Sequence, residues 1–138
     1  LNLGILTTEE DSLTATFCVR SSLGSQKEML HRRLQALMEQ LGGTAAVSGD
    51  HPAWEYRQDS PLRDLMVEVF WEQYGREPKI EAIHAGLECG ILTEKLPGLD
   101  CVSAGPDLLD IHTPRERMDI ASVQRVWRFL LEVLKRSR

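Results

Sequence analysis

The stretch SPLRDLMVEVFWEQYG, residues 60–75, and the segment KIEAIHA, residues 79–85, decide the fold class. Ser60 and Pro61 are typical of a helix start and Gly75 of a helix end, so the stretch predicts a helix. Its apolar residues recur at helical spacing and predict one buried face: Leu62, Leu65, Met66, Val69, Phe70 and Tyr74. KIEAIHA predicts a short strand, so a helix is followed directly by a strand.

The same alternation continues to the end of the chain. DCVSAGP, residues 100–106, predicts another strand, and a last helix is predicted from about Ile120. The residues expected on the buried side of this helix are Val123, Trp127, Leu130 and Leu134. Because strands that alternate with helices favour βαβ units, the second half of the chain predicts a mostly parallel sheet in an α/β fold.

The first half of the chain predicts an antiparallel hairpin, a helix and a further strand. Residues 2–9 and 13–20 are expected to form two strands around a polar turn. Ser25 and Glu28 match a capping box, which predicts the start of a helix that ends at a Gly-Gly pair. Its apolar stripe is Leu30, Leu34, Leu37, Met38 and Leu41. TAAVSG, residues 44–49, predicts a third strand, and the turn-rich stretch 49–61 predicts a crossing between two subdomains.

Composition narrows the class of protein. The chain has 138 residues, of which 42% are apolar and 27% charged, as in ordinary globular domains. A net charge of −5 gives no electrostatic reason to expect nucleic acid, and no apolar run reaches the ~20 residues of a membrane span. Three cysteines without a CxxC pair favour a reducing compartment, so we expect a cytoplasmic protein. The start has no signal-peptide core. Because it also lacks an initiator Met, we expect the chain to be cut from a longer one.

The glycine-flanked segment IHAGLECG, residues 83–90, is the first candidate for chemistry. Gly86 and Gly90 allow the backbone to approach another group closely. His84 ends an apolar strand, where a buried, hydrogen-bonded histidine is favoured over a functional one. Glu88 is either a paired or catalytic carboxylate or a first-turn residue of a helix, and the residues alone leave both readings open. Two other histidines are expected at the surface or in a loop: His31 and His51.

DIHTPRER, residues 110–117, is the second candidate. Thr113, Pro114 and Glu116 fit a capping box, so a helix is predicted to begin there and to hold His112 rigidly in front of it. His112 would then lie at the carboxyl end of a parallel sheet, where α/β proteins bind ligands, with Asp110 placed to orient its ring. No HExxH, HxH or Cys/His pattern accompanies it, so the residues alone favour a structural role over metal binding or catalysis.

Several segments, in this order, resemble the C-terminal part of one known family: LNLG, VRSS, HPAWEYRQDSP, IHAGLECGIL, DCVSAGP and HTPRE. The chain is similar to the aminoacyl-histidine dipeptidases, also called Xaa-His dipeptidases or bacterial carnosinases, which are dizinc peptidases. The resemblance spans essentially all 138 residues. It implies an α/β fold made of the C-terminal part of a parallel-sheet zinc-peptidase catalytic domain and the end of an inserted α+β lid domain. Residues 1–50 would belong to the lid or dimerisation domain and residues 51–138 to the catalytic domain.

The resemblance also implies roles for individual residues. His112 matches the family's final zinc-ligand histidine, with Thr113 where the family usually has Ser. Arg20 resembles the lid arginine that binds the substrate carboxylate, a task that suits a bidentate guanidinium. Asn2 stands where related lids carry an asparagine near the substrate, and Glu88 falls in the substrate-facing loop under the lid.

The implied activity is hydrolysis of Xaa-His dipeptides such as carnosine by zinc-activated water, with two zinc ions in a cytosolic enzyme that is a homodimer. The family's other zinc ligands and its general base precede the lid and match nothing here. Because a two-metal site needs several ligands, this chain alone is expected to be inactive and to contain no catalytic residue. Two alternatives remain, another dizinc exopeptidase or deacylase of the same fold and a non-enzymatic dimerisation module.

Overall fold

The computed structural model describes residues 1–82 and 88–137. Its elements, in chain order, are β1 (Asn2–Thr8), β2 (Leu13–Cys18), α1 (Gly24–Gln40), α2 (Pro61–Tyr74), α3 (Glu88–Lys95), β3 (Leu108–Leu109), β4 (Arg117–Met118) and α4 (Ile120–Arg136). The chain divides into two compact units. The first unit comprises Leu1–Tyr56 and Ala82–Pro97, and the second comprises Arg57–Glu81 and Gly98–Arg138. The domain division at residue 50 stays a prediction.

The first unit begins with the predicted antiparallel hairpin. Strands β1 and β2 pair with Asn2 opposite Cys18 and Thr8 opposite Leu13, and the register is irregular near Gly4. The strands end at Thr8 and Cys18, slightly before the predicted ends at residues 9 and 20. Every residue of both strands is exposed, including one apolar face of the hairpin that consists of Leu3, Leu6, Leu13, Ala15 and Phe17.

Helix α1 confirms the predicted helix but not its predicted cap. The N-cap residue is Leu23, and no side chain caps it, so the capping box at Ser25 is wrong. The N-terminus is held instead by Glu55, whose Oε1 accepts a hydrogen bond from the Gly24 N–H at 2.9 Å. The negative charge of this carboxylate also interacts favourably with the positive end of the helix dipole. No residue of α1 is buried, and Leu37 of the predicted apolar stripe is 51% exposed.

Helix α3 contains the close backbone approach that the glycines of IHAGLECG predict. Gly90 is buried in α3, and a Cβ atom placed on it would lie 2.7 Å from the carbonyl oxygen of Pro52. Real Cβ atoms do not approach a backbone oxygen so closely, so the packing of α3 on the segment at Pro52 requires glycine. The predictions for Gly86 and His84 lie outside the described residues.

We expect the substitution Gly90→Ala to destabilise the protein by about 1–3 kcal/mol, because the added methyl group forces apart two backbone segments. Helix propensity alone predicts the opposite sign, a gain of about 1 kcal/mol for alanine. Urea unfolding followed by circular dichroism measures the difference. The matched control is Gly105→Ala, where an added Cβ meets nothing within 4 Å, and we expect little change. A stabilised Gly90→Ala protein would contradict the close contact.

The second unit contains the hydrophobic core of the described residues. Helices α2 and α4 pack together through Met66, Val69, Phe129 and Val133, which are all buried. The partly buried residues around them are Leu62, Leu65, Phe70, Val102 and Leu130. The rings of Phe70 and Phe129 meet edge to face with centroids 5.9 Å apart, a favourable aromatic geometry. The apolar face predicted for residues 62–74 is therefore confirmed.

The start of α2 is fixed by the predicted cap and by one further residue. Ser60 Oγ accepts from the Arg63 N–H at 3.2 Å, Pro61 is the first helical residue, and Gly75 ends the helix with a φ of 64°. Ser60 also donates to Asp100 Oδ1 at 2.7 Å, and Asp100 Oδ2 accepts from the Leu62 N–H at 2.9 Å. Partial burial would raise the pKa of Asp100, but these hydrogen bonds and the nearby arginines outweigh it and hold the pKa below its usual value.

Some predicted elements are not formed. Residues 44–49, 79–82 and 100–106 form no strand, and residues 83–85 of KIEAIHA lie outside the described residues. Both sheets of the described ranges are two-stranded and antiparallel, so no parallel ladder is present there. A strand exists only against a hydrogen-bonded neighbour, and these segments pair with no strand within the described part of the chain. None of the helices in residues 1–82 and 88–137 is long and apolar enough to cross a membrane.

Helix α4 starts where predicted but buries a different face. Asp119 caps it through a hydrogen bond from the Ser122 N–H to Oδ1 at 3.1 Å. The buried residues are Ser122, Phe129 and Val133, whereas the predicted buried residues are largely exposed: Val123 at 36%, Trp127 at 62% and Leu134 at 67%. Only Leu130 of the predicted set packs against the core. The apolar residues of the helix form one wide face, and α2 covers the side of it that carries Phe129 and Val133 rather than the side expected.

Candidate functional site

Two predicted site residues, Arg20 and Asn2, line one surface depression in the first unit. The depression has a volume of about 520 Å³ and is lined by Leu1, Asn2, Cys18, Arg20, Ser21, Ser22 and Gln26. Strand pairing explains the proximity, because Asn2 lies opposite Cys18 and Arg20 follows shortly after β2 ends. The sequence predicts Arg20 within the second strand, and this is wrong, because β2 ends at Cys18 and Arg20 lies just beyond it.

The chain segment after Arg20 is held by its own side chains. Ser21 Oγ donates to Gln26 Oε1 at 2.7 Å and accepts from the Leu23 N–H at 3.0 Å. Arg20 itself is exposed and forms no ion pair within residues 1–82 and 88–137. An unpaired guanidinium at a concave surface has donors available for a carboxylate, which it can bind with two parallel hydrogen bonds.

Glu88 is not part of the depression that Arg20 and Asn2 line. It is the exposed first residue of α3. An acidic side chain in the first turn of a helix interacts favourably with the helix dipole. The structure thus confirms the first-turn alternative, while a contact between Glu88 and a substrate stays a prediction.

His112 lies in the loop 110–116 of a second hairpin, in the second unit. Strands β3 and β4 pair antiparallel, with Leu108 opposite Met118 and Leu109 opposite Arg117. The helix predicted from Thr113 is therefore wrong, since residues 117–118 form a strand and α4 starts only at Ile120. Thr113 and Glu116 still bind the backbone, but in a turn.

Side chains fix the backbone of this loop at several points. Thr113 Oγ1 donates to the Asp110 carbonyl at 2.7 Å and accepts from the Arg115 N–H at 3.2 Å. Glu116 Oε2 accepts from the His112 N–H at 2.8 Å, where a capping box would have bound the N–H of Thr113. Asp110 and His112 have φ angles of 53° and 65°, in the left-handed region that is uncommon outside glycine.

The imidazole of His112 is exposed and has no hydrogen-bond partner in the described ranges of the chain. Asp110, the expected partner of the ring, forms an ion pair with Arg117 at 3.3 Å instead. The imidazole of His112 is thus accessible, while the backbone of the residue is held by hydrogen bonds.

The base of the same hairpin is anchored by a serine that sequence reasoning missed. Ser122 is 2% exposed, and its Oγ accepts from the Asp107 N–H at 2.8 Å and donates to the Asp119 carbonyl at 2.6 Å. Asp119 N–H donates to the Asp107 carbonyl at 3.0 Å and closes the ring of contacts. The available signal was the pair Asp119 and Ser122, spaced as an N-cap and its third residue.

Two zinc ions do not fit the described residues. Zinc takes three or four protein ligands, mainly imidazole, thiolate and carboxylate groups. Within residues 1–82 and 88–137 no three such side chains lie together. His112 offers one accessible imidazole, and any further ligands must come from elsewhere. No reaction step through a metal follows from these residues alone.

Comparison with known proteins first shows which class of protein this chain resembles. Over nearly its whole length the chain is similar to dipeptidases, and its mixture of helices and small sheets is the α/β fold of part of a zinc peptidase. It shares 33% identity over 135 residues with the cytosol non-specific dipeptidase of Escherichia coli (strain K12), covering 98% of this chain and 28% of that protein. The crystal structure of aminoacylhistidine dipeptidase from Vibrio alginolyticus matches with a TM-score of 0.80 and 33% identity, over 97% of this chain and 27% of that chain.

These similarities confirm the resemblance and the fold class predicted from the sequence. The chain spans little more than a quarter of the length of the proteins it matches. No family model matches the chain.

Proposed function

We propose that this chain is the part of a cytosolic dipeptidase that binds the carboxylate of the substrate and supplies one metal-binding histidine. The observation that carries the proposal is 33% identity over 98% of the chain to a protein named as a cytosol non-specific dipeptidase. The structural match at a TM-score of 0.80 supports it independently of any single motif. Because the chain spans about 28% of that relative, the activity is proposed for a longer polypeptide, and the isolated chain is expected to be inactive.

The proposed substrate is a dipeptide with a free C-terminal carboxylate, in particular an Xaa-His dipeptide. The depression lined by Arg20 and Asn2 supports the first part, because a guanidinium without an ion pair in the described ranges and an amide are suited to a carboxylate. The name of the Vibrio relative, an aminoacylhistidine dipeptidase, supports histidine as the second residue. The name of the Escherichia coli relative favours a wider choice of dipeptides, which is the alternative to be tested.

His112 is proposed as a single ligand to one of two zinc ions. Its accessible ring and its fixed backbone support this role. The other ligands and the general base would lie outside these 138 residues. A homodimer is likewise proposed for the longer polypeptide.

A chimeric enzyme tests the proposal. In the dipeptidase of Escherichia coli, the region matched by this chain is replaced by this chain, and hydrolysis of carnosine, other dipeptides and N-acyl amino acids is measured. We expect hydrolysis of dipeptides and not of N-acyl amino acids. A folded, metal-loaded chimera that prefers N-acyl amino acids would support a deacylase instead.

In this chimera, Arg20→Ala is expected to lower kcat/KM for free dipeptides by about 10- to 100-fold, since hydrogen bonds to a charged group contribute about 1.5–3 kcal/mol. Dipeptide amides, which lack the carboxylate, should lose little. The control is Arg33→Ala, because Arg33 is exposed on α1 and does not line the depression. An equal loss for dipeptides and their amides would show that Arg20 does not bind the carboxylate.

A further inference from the structure

In the described part of the chain, the backbone N–H of His112 is bound by one side chain, that of Glu116. Its carboxylate Oε2 accepts from the His112 N–H at 2.8 Å across the loop 110–116. His112 has a φ of 65°, a conformation that costs free energy for any residue with a Cβ atom. A residue stays in this region only where neighbouring groups hold it there.

We propose that Glu116 is a positioning residue, whose carboxylate keeps His112 in the left-handed conformation and thereby sets the direction of its imidazole. This inference rests on the proposed function, in which His112 is a metal ligand. Glu116 acts through the backbone and does not itself touch substrate or metal.

Thr113 closes the turn that contains His112, because its N–H at 3.2 Å and its Oγ1 at 2.7 Å both donate to the Asp110 carbonyl. Thr113 Oγ1 also accepts from the Arg115 N–H, and Arg117 pairs with the Asp110 carboxylate. Among the described residues, Glu116 is the one whose side chain binds the N–H of His112 and so adds the restraint on that residue itself. Glu116 forms no ion pair within the described part of the chain, so no cation competes for its carboxylate.

The position of Glu116 is itself well determined. Its N–H donates to the Thr113 carbonyl at 3.0 Å, and Arg117, the next residue, is paired with Leu109 in the hairpin. The base of the hairpin is closed by buried Ser122. The carboxylate therefore projects from an anchored part of the backbone, and its hydrogen bond restrains His112 rather than the reverse.

Nuclear magnetic resonance on the 138-residue chain tests the inference directly. In Glu116→Ala, we expect amide hydrogen exchange at His112 to become about ten-fold faster, because a hydrogen bond to a charged acceptor is lost. The three-bond coupling between HN and Hα of His112 should change as φ leaves the left-handed region. Glu116→Gln retains an acceptor oxygen and should restore both values in large part. The control Glu77→Ala removes an exposed carboxylate of the same unit and should change neither value.

The amides of Val69 and Phe129 in the core show whether each variant is folded. If Glu116→Ala does not fold, Glu116→Asp takes its place, because the shorter side chain keeps the charge but cannot span the loop. Unchanged exchange and coupling at His112 in a folded variant would overturn the inference.

Zinc affinity in the chimeric enzyme separates this inference from the proposed function. Glu116→Ala should weaken zinc binding by about 10- to 100-fold, as is usual when a group that orients a ligand is removed, and Glu116→Gln should recover most of it. If zinc binding does not involve His112 at all, the proposed ligand role fails while the exchange result stands. If exchange at His112 is unaffected, the role of Glu116 fails whatever the zinc result.

Discussion

Replacing His112 by alanine in the chimeric dipeptidase is expected to remove about one zinc ion per polypeptide and to lower kcat/KM by at least about 100-fold, beyond the loss typical of a group that only orients a ligand. The expectation rests on two features of His112. Its imidazole is accessible and has no hydrogen-bond partner in the described ranges, and the backbone of its loop is fixed by Glu116 and Thr113. Elemental analysis of the purified protein and steady-state kinetics measure the two effects.

The control for this experiment is His51→Ala. His51 is exposed in the first unit, and its backbone carbonyl accepts a hydrogen bond from Lys27. Its replacement should leave both zinc content and kcat/KM unchanged. A full complement of zinc in the His112→Ala protein would refute the ligand assignment, whatever happens to turnover.

The second large effect concerns stability. Phe129→Ala is expected to lower the free energy of unfolding by about 3–5 kcal/mol, because it leaves a cavity in a core of few buried side chains. Phe129 is 7% exposed and meets Phe70 edge to face at 5.9 Å. A loss of this size is comparable to the entire stability of a small domain, so the second unit should be largely unfolded at 37 °C.

Trp127→Ala is the matched control, on the same helix and with a larger side chain removed. Because Trp127 is 62% exposed, its removal should cost less than about 1 kcal/mol. Urea unfolding followed by circular dichroism at 222 nm compares the two proteins. If Trp127→Ala costs more than Phe129→Ala, the face of α4 that packs against α2 is the one expected from the sequence and not the one described.

Local signals in the sequence were sufficient for helix α2 and for the hairpin of β1 and β2. Ser60, Pro61 and Gly75 act on their own backbone, so their effect does not depend on distant residues. The strand segments 2–8 and 13–18 are close in sequence and joined by a short turn, so they pair with each other.

Predictions that depended on a distant partner were less successful. Residues 113–116 carry a capping-box pattern, but the pairing of β3 with β4 draws residue 117 into a strand and leaves a turn. The prediction of the buried side of α4 was wrong because the apolar face of that helix is wide, and periodicity does not tell which side of it a neighbouring helix covers. The segment 100–106 has residues typical of a strand but pairs with no strand in the described ranges.

The candidate site shows the same contrast. Asn2 and Arg20 are far apart in sequence, and the register of β1 and β2 brings them to one depression. Only the family resemblance gave them a shared role beforehand. The bond from the His112 N–H to Glu116 and the anchoring bonds of Ser122 were not predicted, because they depend on the hairpin 108–118, which the sequence did not indicate.

The exposed indole of Trp127 can serve as an intrinsic fluorescent probe of one face of α4. With Trp54 and Trp71 replaced by phenylalanine, its emission would come from this helix alone. Contact with any other surface would shift that emission toward the blue and shield it from iodide quenching, so assembly at α4 can be followed without attaching a dye.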